Sequence, residues 1–192
     1  MLARRPDAAA LAAGTVLFYD NTKLDVGHFG GLLPTLKAGL AARGIARFAD
    51  ERLTIRGTSG QDIDALARRF QALGVSAAVI ALADMGVSPA MVALTVAMER
   101  LGIPTVCLTA GPGSRLARAH AHYRAGQLCL LPYDIHPGSS AQTVRQLADD
   151  SVACLVAMLT AQGDELQALA TVDYEVDAQP ARADGVAEAL QA

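Results

Sequence analysis

The feature that most constrains the fold is a nearly unbroken apolar run that begins at Val75. The run is rich in Ala, Val and Ile and falls well short of the roughly 20 residues that a membrane helix needs, so it fits a strand buried on both faces. It stops at Asp84, passes through Gly86 and gives way to Ser88 and Pro89, where Ser88 is expected to cap a helix and Pro89 to start it. We therefore expect the central strand of a parallel sheet, a short polar turn and a helix N-terminus, which together favour a ligand site.

The rest of the chain alternates between short apolar runs and amphipathic segments. The connections are too long for hairpins, which predicts a doubly wound, mainly parallel five-stranded α/β sheet, a flavodoxin- or Rossmann-like three-layer sandwich. The predicted strands are 15–19, 45–49, the run from Val75, 103–109 and 127–131. One predicted helix follows Gly30-Gly31, and a second carries the apolar stripe Ile63, Leu66, Phe70 and Leu73. Two more cover 89–101 and 114–124. The last starts at Ser139, which has capping-box spacing to Gln142.

Composition limits the class of protein. With 192 residues, 52% of them hydrophobic, the chain can bury the core of one domain without disulfides or metal. We assign residues 14–162 to this domain and expect 1–13 to be a short disordered or extended leader and 163–192 a tail that is partly helical or packs on a partner. A net charge of −3, scattered basic residues and the lack of Trp argue against nucleic acid.

The three cysteines, Cys107, Cys129 and Cys154, are widely spaced. This spacing suits the reducing cytoplasm and argues against a disulfide framework or a zinc site, so we expect buried thiols. No segment is apolar for long enough to span a membrane.

Four polar loops are expected to meet at the carboxyl edge of the sheet, where doubly wound folds bind their ligands. They are 20–23, 84–88, 109–114 and 133–140. Three of them lead into helix N-termini and Lys23 supplies a cation, which favours a small carboxylate or phosphate. His136 is the best candidate for a general acid–base, and Asp84 for an orienting group or second base. The expected substrate-binding residues are Asn21, Gly86, Ser88, Thr109, Ser139 and Ser140, with helix capping as the alternative for Ser88 and Ser139.

We predict neither a cofactor nor a metal. The chain has no Walker loop, and the Gly-x-Gly at 111–113 lacks the third glycine of a dinucleotide fingerprint and does not follow the first strand. His120 and His122 are two residues apart on one predicted helix, so they face different ways and do not form a metal pair.

Several short motifs occur in a specific order over residues 14–160. They are Asp20-Asn21-Thr22-Lys23 after the first strand, Asp84 after the central strand, Gly102-Ile103-Pro104-Thr105-Val106, Ala117-Arg118 and His136-Pro137. In these motifs the chain resembles the UGSC family, named for a selenocysteine-Gly-Ser-Cys motif in which cysteine often replaces selenocysteine. The family is similar to selenoprotein components of amino-acid reductases, so the resemblance implies chemistry at a carbon–heteroatom bond.

The chain departs from this family at the motif itself. The family has Asp-Sec/Cys-Gly-Ser-Cys, whereas this chain keeps Asp84 and Gly86 but carries Met85 at the selenocysteine position and Ser88 at the second cysteine. Because a thioether is neither a nucleophile nor a redox partner of that kind, we do not expect selenol or dithiol chemistry.

Two functions follow from these observations. The first is a cytoplasmic, oligomeric, lyase-like enzyme or enzyme subunit that carries out redox-neutral addition or elimination on a small carboxylate-bearing metabolite. In this function, Lys23 and the helix start at Ser88 bind the anion and His136 transfers the proton. The second is a non-catalytic subunit that pairs with a cysteine- or selenocysteine-bearing homologue, and an anion-binding module is a further alternative.

Overall fold

The computed structural model of the chain describes residues 2–21, 29–52, 60–82, 88–110, 113–123, 126–135 and 138–170. In them, five parallel strands form one sheet in the order β2-β1-β3-β4-β5. The strands are β1 (Thr15–Asp20), β2 (Phe48–Arg52), β3 (Val75–Leu82), β4 (Thr105–Ala110) and β5 (Cys129–Tyr133). The helices are α1 (Ala8–Ala13), α2 (Phe29–Ala41), α3 (Gly60–Ala72), α4 (Ser88–Arg100), α5 (Gly113–Tyr123), α6 (Ala141–Thr160) and α7 (Gly163–Leu169).

The sheet separates two apolar cores, as a doubly wound fold requires. Alternate residues of each strand face opposite sides, so Val16 and Phe18 of β1 pack with α1, α2, α6 and α7, whereas Leu17 and Tyr19 pack with α3, α4 and α5. The predicted α/β fold class and the central position of β3 are both confirmed. No helix in the described ranges is long and apolar enough to cross a membrane.

Two strands begin later than the sequence pattern predicts, for one shared reason. Ile45 and Ile103 are buried, but each belongs to the C-terminal cap of the preceding helix. The Ile45 N–H donates to the Leu40 carbonyl at 3.0 Å, and the φ of Gly44 is +83°, which is the Schellman arrangement. Ile103 repeats this after Gly102, so the predicted strands 45–49 and 103–109 are corrected to β2 (Phe48–Arg52) and β4 (Thr105–Ala110).

The predicted boundaries around β5 and α6 are also wrong. Pro132 lies within β5, not in the following loop. It is tolerated there because, among the described residues, β5 is an edge strand that pairs only with β4. The N-cap of α6 is Ser140, not Ser139: the Ser140 Oγ accepts a hydrogen bond from the Thr143 N–H at 3.1 Å. Both adjacent residues are serines, which are equally favoured at an N-cap, so the sequence does not distinguish them.

The N-terminal segment is part of the domain, contrary to the predicted disordered or extended leader. Asp7 caps α1 by accepting from the Ala10 N–H, and Leu11 is fully buried. Arg5, only 2% exposed, reaches Glu99 at the C-terminal end of α4. In the predicted tail, residues 163–169 form α7, and residues 171–192 lie outside the described residues.

Candidate functional site

The candidate site lies at the carboxyl edge of the sheet, where the winding direction reverses. From β1 the chain goes outward to β2, and it then returns to β3 on the other side of β1 before continuing to β4 and β5. Asp20 at the end of β1 pairs with Ala81 of β3, so the connections that follow these strands leave from adjacent points. Ligands of doubly wound proteins bind in the crevice at such a switch point.

Two predicted substrate-binding residues, Asn21 and Thr109, lie at this edge. Asn21 directly follows β1 and is fully buried, as is Thr109 near the end of β4. The pairings of Asp20 with Ala81 and of Leu82 with Thr109 put Asn21 and Thr109 at the same height on either side of β3. Their backbones are therefore about 10 Å apart, twice the spacing between neighbouring strands. The edge thus carries two buried polar residues flanking the central strand.

A buried thiol lies below this edge, on the same side of the sheet as Thr109. Cys107 Sγ is 2.9 Å from Thr95 Oγ1, and Thr95 in turn donates to the Met91 carbonyl at 2.9 Å. Burial raises the pKa of the Cys107 thiol to about 12, so this sulfur stays protonated at neutral pH. A buried, protonated thiol of this kind is not an activated nucleophile.

The other two cysteines are placed differently. Cys129 at the start of β5 is fully buried, and burial raises the pKa of its thiol as well, whereas Cys154 is half-buried on α6. The expectation of buried thiols is therefore confirmed for Cys107 and Cys129 and is wrong in degree for Cys154.

Arg118 is a candidate that the sequence analysis did not include among the site residues. It lies on α5, the helix that follows β4, about 7 Å along the helix axis from its first residue. Its Nε atom is buried and has no hydrogen-bond partner among the described residues. A buried guanidinium N–H is costly unless an acceptor reaches it, so this atom is suited to an anionic ligand. The available sequence signal was the Ala117-Arg118 pair.

Four predicted site residues lie outside the described residues: Lys23, Asp84, Gly86 and His136. The backbone of Ser88 begins α4, one residue before the predicted helix start at Pro89.

Ser139 and Ser140 lie in the connection from β5 to α6. The Ser140 hydroxyl is used in the α6 cap and also lies 2.9 Å from Thr143 Oγ1, so Ser140, predicted to bind substrate, serves as a helix cap. Ser139, predicted as the cap, is instead the residue before it.

Metal-binding side chains do not cluster in the described part of the chain: no three His, Cys, Asp or Glu residues there come together as a metal ion requires. His120 is half-buried and His122 is exposed on α5.

The strand order defines the class of protein as flavodoxin-like, within the doubly wound α/β folds. No family model and no curated protein matches the chain. Among solved structures, the chain is similar to a flavone reductase, with 11% identity and a TM-score of 0.43 over 78% of this chain and 66% of the other. It is also similar to an ABC transporter substrate-binding protein from Aeropyrum pernix, with 13% identity and a TM-score of 0.34 over 83% of this chain and 47% of the other.

Proposed function

We propose that the protein binds a small carboxylate-bearing metabolite at the switch-point edge and acts on it as an enzyme or enzyme subunit by redox-neutral addition or elimination at a carbon–heteroatom bond. The observation that carries this proposal is the adjacency of the β1 and β3 ends, flanked by the buried residues Asn21 and Thr109. In the proposed mechanism, Lys23 binds the carboxylate, His136 transfers the proton and Asp84 orients the histidine or acts as a second base.

An anionic ligand is supported by the donors near this edge. The helices α2 and α4 begin after the connections from β1 and β3, and α5 begins after β4, so three helix N-termini, whose first N–H groups have no acceptor within the helix, follow strand ends of this edge. The buried Arg118 Nε adds a donor that lacks an acceptor among the described residues. These donors, together with the positive charge of Lys23, favour a carboxylate ligand.

Redox-neutral chemistry is supported by the state of the thiols. Cys107 and Cys129 have pKa values raised by burial, so neither supplies a thiolate at neutral pH. Met85 occupies the position at which the UGSC family carries selenocysteine or cysteine. Acid–base chemistry by His136 and Asp84 needs none of these sulfur atoms.

Binding is tested by calorimetric titration with oxalate, malonate, malate and citrate. We expect one or more of these to bind, and Lys23→Met to weaken binding by about tenfold because one charge-assisted hydrogen bond is lost. Arg43→Met is the matched control, since it removes one exposed cation after the C-terminal end of α2, at the opposite edge of the sheet. Equal affinities for the two variants, or no binding by the unmodified protein, would contradict the proposed site.

Turnover is tested by NMR on 2-hydroxy, 2-amino and 2-thio carboxylates incubated with the protein. We expect His136→Gln to abolish product formation while binding and the thermal transition persist, because only the proton-transfer group is removed. His122→Gln, an exposed substitution on α5, is the control. Unchanged turnover in His136→Gln would rule out the assigned role of His136.

A non-catalytic partner subunit is the second candidate, and the specific observation that favours it is Met85 at the motif position. Such a subunit would complete the pocket of a cysteine- or selenocysteine-bearing homologue. Native mass spectrometry on the protein from its own cells under reducing conditions separates the two functions. A heteromer with such a chain supports the second, and a homo-oligomer carrying a small anion supports the first.

A further inference from the structure

A fully buried ion pair joins the N-terminal segment, residues 2–6, to the C-terminal end of α4. The side chains of Arg5 and Glu99 are 0% and 1% exposed, and two hydrogen bonds of 2.6 and 2.8 Å connect the guanidinium to the two carboxylate oxygens. Glu99 also accepts from the Ala3 N–H at 2.6 Å and from the Thr105 N–H at 2.7 Å. The carboxylate therefore has four donors, two of them from the backbone.

The same guanidinium connects elements from the other half of the domain. Arg5 Nε donates to the Met158 carbonyl near the end of α6 at 3.2 Å, and Nη2 lies 3.3 Å from the Cys129 Sγ at the start of β5. The Gln162 side chain, after α6, donates to the Arg5 carbonyl at 2.5 Å. The cluster thus ties α4, β4, β5 and α6 together at the amino edge of the sheet, opposite the candidate site.

Apolar packing alone does not strongly fix the axial position of α4, so directional contacts at its end matter. The helix is apolar on nearly every side, with Met91, Val92, Leu94, Val96 and Met98 all buried. Apolar contacts are non-directional and so do not strongly fix the position of a helix along its own axis. Hydrogen bonds are directional, and Glu99 concentrates four of them at one end of the helix. Since a helix is stiff, fixing Glu99 also fixes Ser88, about 16 Å away at the candidate site.

We propose that Arg5 and Glu99 are positioning residues, which hold α4 at one axial position and thereby place its N-terminus at the ligand edge. The effect on ligand binding rests on the proposed function, whereas the effect on α4 itself does not. The N-terminal segment thereby shapes a site at the opposite edge of the sheet.

Amide hydrogen exchange on the full chain tests the positioning of α4 directly. The informative variant is Arg5→Met/Glu99→Gln, because it removes both charges together and leaves an oxygen for the Thr105 N–H, so that no buried charge is left unpaired. We expect exchange in the first half of α4, residues 88–94, to become about tenfold faster or more under conditions where global unfolding does not contribute. Amides of β1 and α3 should keep their protection.

A second variant, Arg5→Lys, keeps the fold testable if the double variant fails to fold. Lysine retains the charge but not the planar fork that bonds both carboxylate oxygens, so exchange in residues 88–94 should again increase. The matched control is Arg4→Lys, since Arg4 is the exposed neighbour of Arg5 in the same segment. Exchange that speeds up only in residues 2–13 and the last turn of α4 would overturn the proposal, because the pair would then only fasten the N-terminal segment.

Malonate titration of the same variants separates this proposal from the proposed function. If the unmodified protein binds malonate, weaker binding by the double variant at an unchanged thermal midpoint supports positioning, and equal binding by the double variant contradicts it. If the unmodified protein binds none of the carboxylates, the proposed function fails, and the exchange measurement still decides whether Arg5 and Glu99 position α4.

Discussion

A charged side chain with almost no exposed surface depends on its partners inside the protein, and Arg5 illustrates the consequence. Removing it leaves Glu99 buried with its charge uncompensated. We expect Arg5→Ala to lower the free energy of unfolding by about 3–5 kcal/mol, as is typical when one partner of a buried ion pair is deleted. Urea unfolding followed by circular dichroism measures this.

The control for Arg5→Ala is Arg4→Ala at the exposed neighbouring position, for which we expect a change within about 0.5 kcal/mol. Similar losses in the two variants would mean that the ion pair contributes little beyond the net charge of the segment.

The three thiols should differ in reactivity because they differ in exposure. Cys107 and Cys129 are buried with raised pKa values, whereas Cys154 is half-buried. We expect a thiol reagent at pH 8 to label one cysteine quickly and two only as the protein opens. Peptide mass spectrometry should identify the fast site as Cys154, and Cys154→Ser should remove the fast phase. A fast phase at Cys107 would contradict the assigned burial.

At the scale of the elements, a close contact between α2 and α6 depends on a glycine. A Cβ built on Gly39 would overlap the Cγ2 of Val152, which is 1% exposed. We expect Gly39→Ala to destabilise the protein by about 1–3 kcal/mol, since overpacking outweighs the helix propensity of alanine. Thermal unfolding measures the loss.

Two further variants test whether this loss comes from the contact. Gly60→Ala, at the first residue of α3 with open space around it, should be neutral or slightly stabilising. Gly39→Ala/Val152→Ala should recover part of the loss, because the clashing methyl groups are removed. No recovery would show that Gly39 acts through the backbone instead.

The sequence pattern predicted which elements exist better than where they begin. Periodicity alone indicated all five strands, but it cannot separate an apolar residue in a strand from one in a helix cap, so Ile45 and Ile103 were assigned to strands. It also placed Leu73 in the buried stripe of α3, whereas Leu73 follows the helix end and is 65% exposed. Ala67 completes that stripe, and alanine gives little periodic signal.

The candidate site was predictable where it depends on topology. Strand ends that share one edge follow from parallel pairing, and this brought Asn21 and Thr109 to the same height. The Arg5–Glu99 pair was not predictable, because no local pattern links residues 94 positions apart in sequence. A charge in an N-terminal segment usually indicates a solvated leader, and only the tertiary structure gives Arg5 its partners.

For the molecule as a whole, the two edges of the sheet carry different groups. The amino edge carries the buried cluster around Arg5, which joins four elements, and the carboxyl edge carries the polar strand ends. The buried cluster and the candidate site are thus separated by the length of the strands. This separation is common in α/β folds, where site residues can change without loss of the core.

The buried acidic groups of the whole molecule make its stability sensitive to alkaline pH. Burial raises the pKa of Tyr133 from 10.0 to about 12, although its hydroxyl bonds Ser151 Oγ at 2.7 Å, and raises that of Cys107 from 9.0 to about 12. The pKa of Tyr19 is also raised, mainly by burial. In each case the unfolded chain releases the proton first, so the stabilisation is complete below the unfolded pKa and is lost as the pH rises toward the folded one.

We therefore expect the free energy of unfolding to fall between pH 9 and 12, by about 1.4 kcal/mol per pH unit for each group that is titrating only in the unfolded chain. Urea titrations at half-unit pH steps measure this slope, and absorbance at 295 nm reports when tyrosinate forms. Tyr133→Phe should make the slope shallower between pH 10 and 12, while costing about 1 kcal/mol at pH 7 through the lost hydrogen bond to Ser151. A flat profile to pH 12, or tyrosinate formation near pH 10 in the folded protein by more than two of its four tyrosines, would contradict the burial of these groups, because an exposed phenol ionises at the same pH in both states.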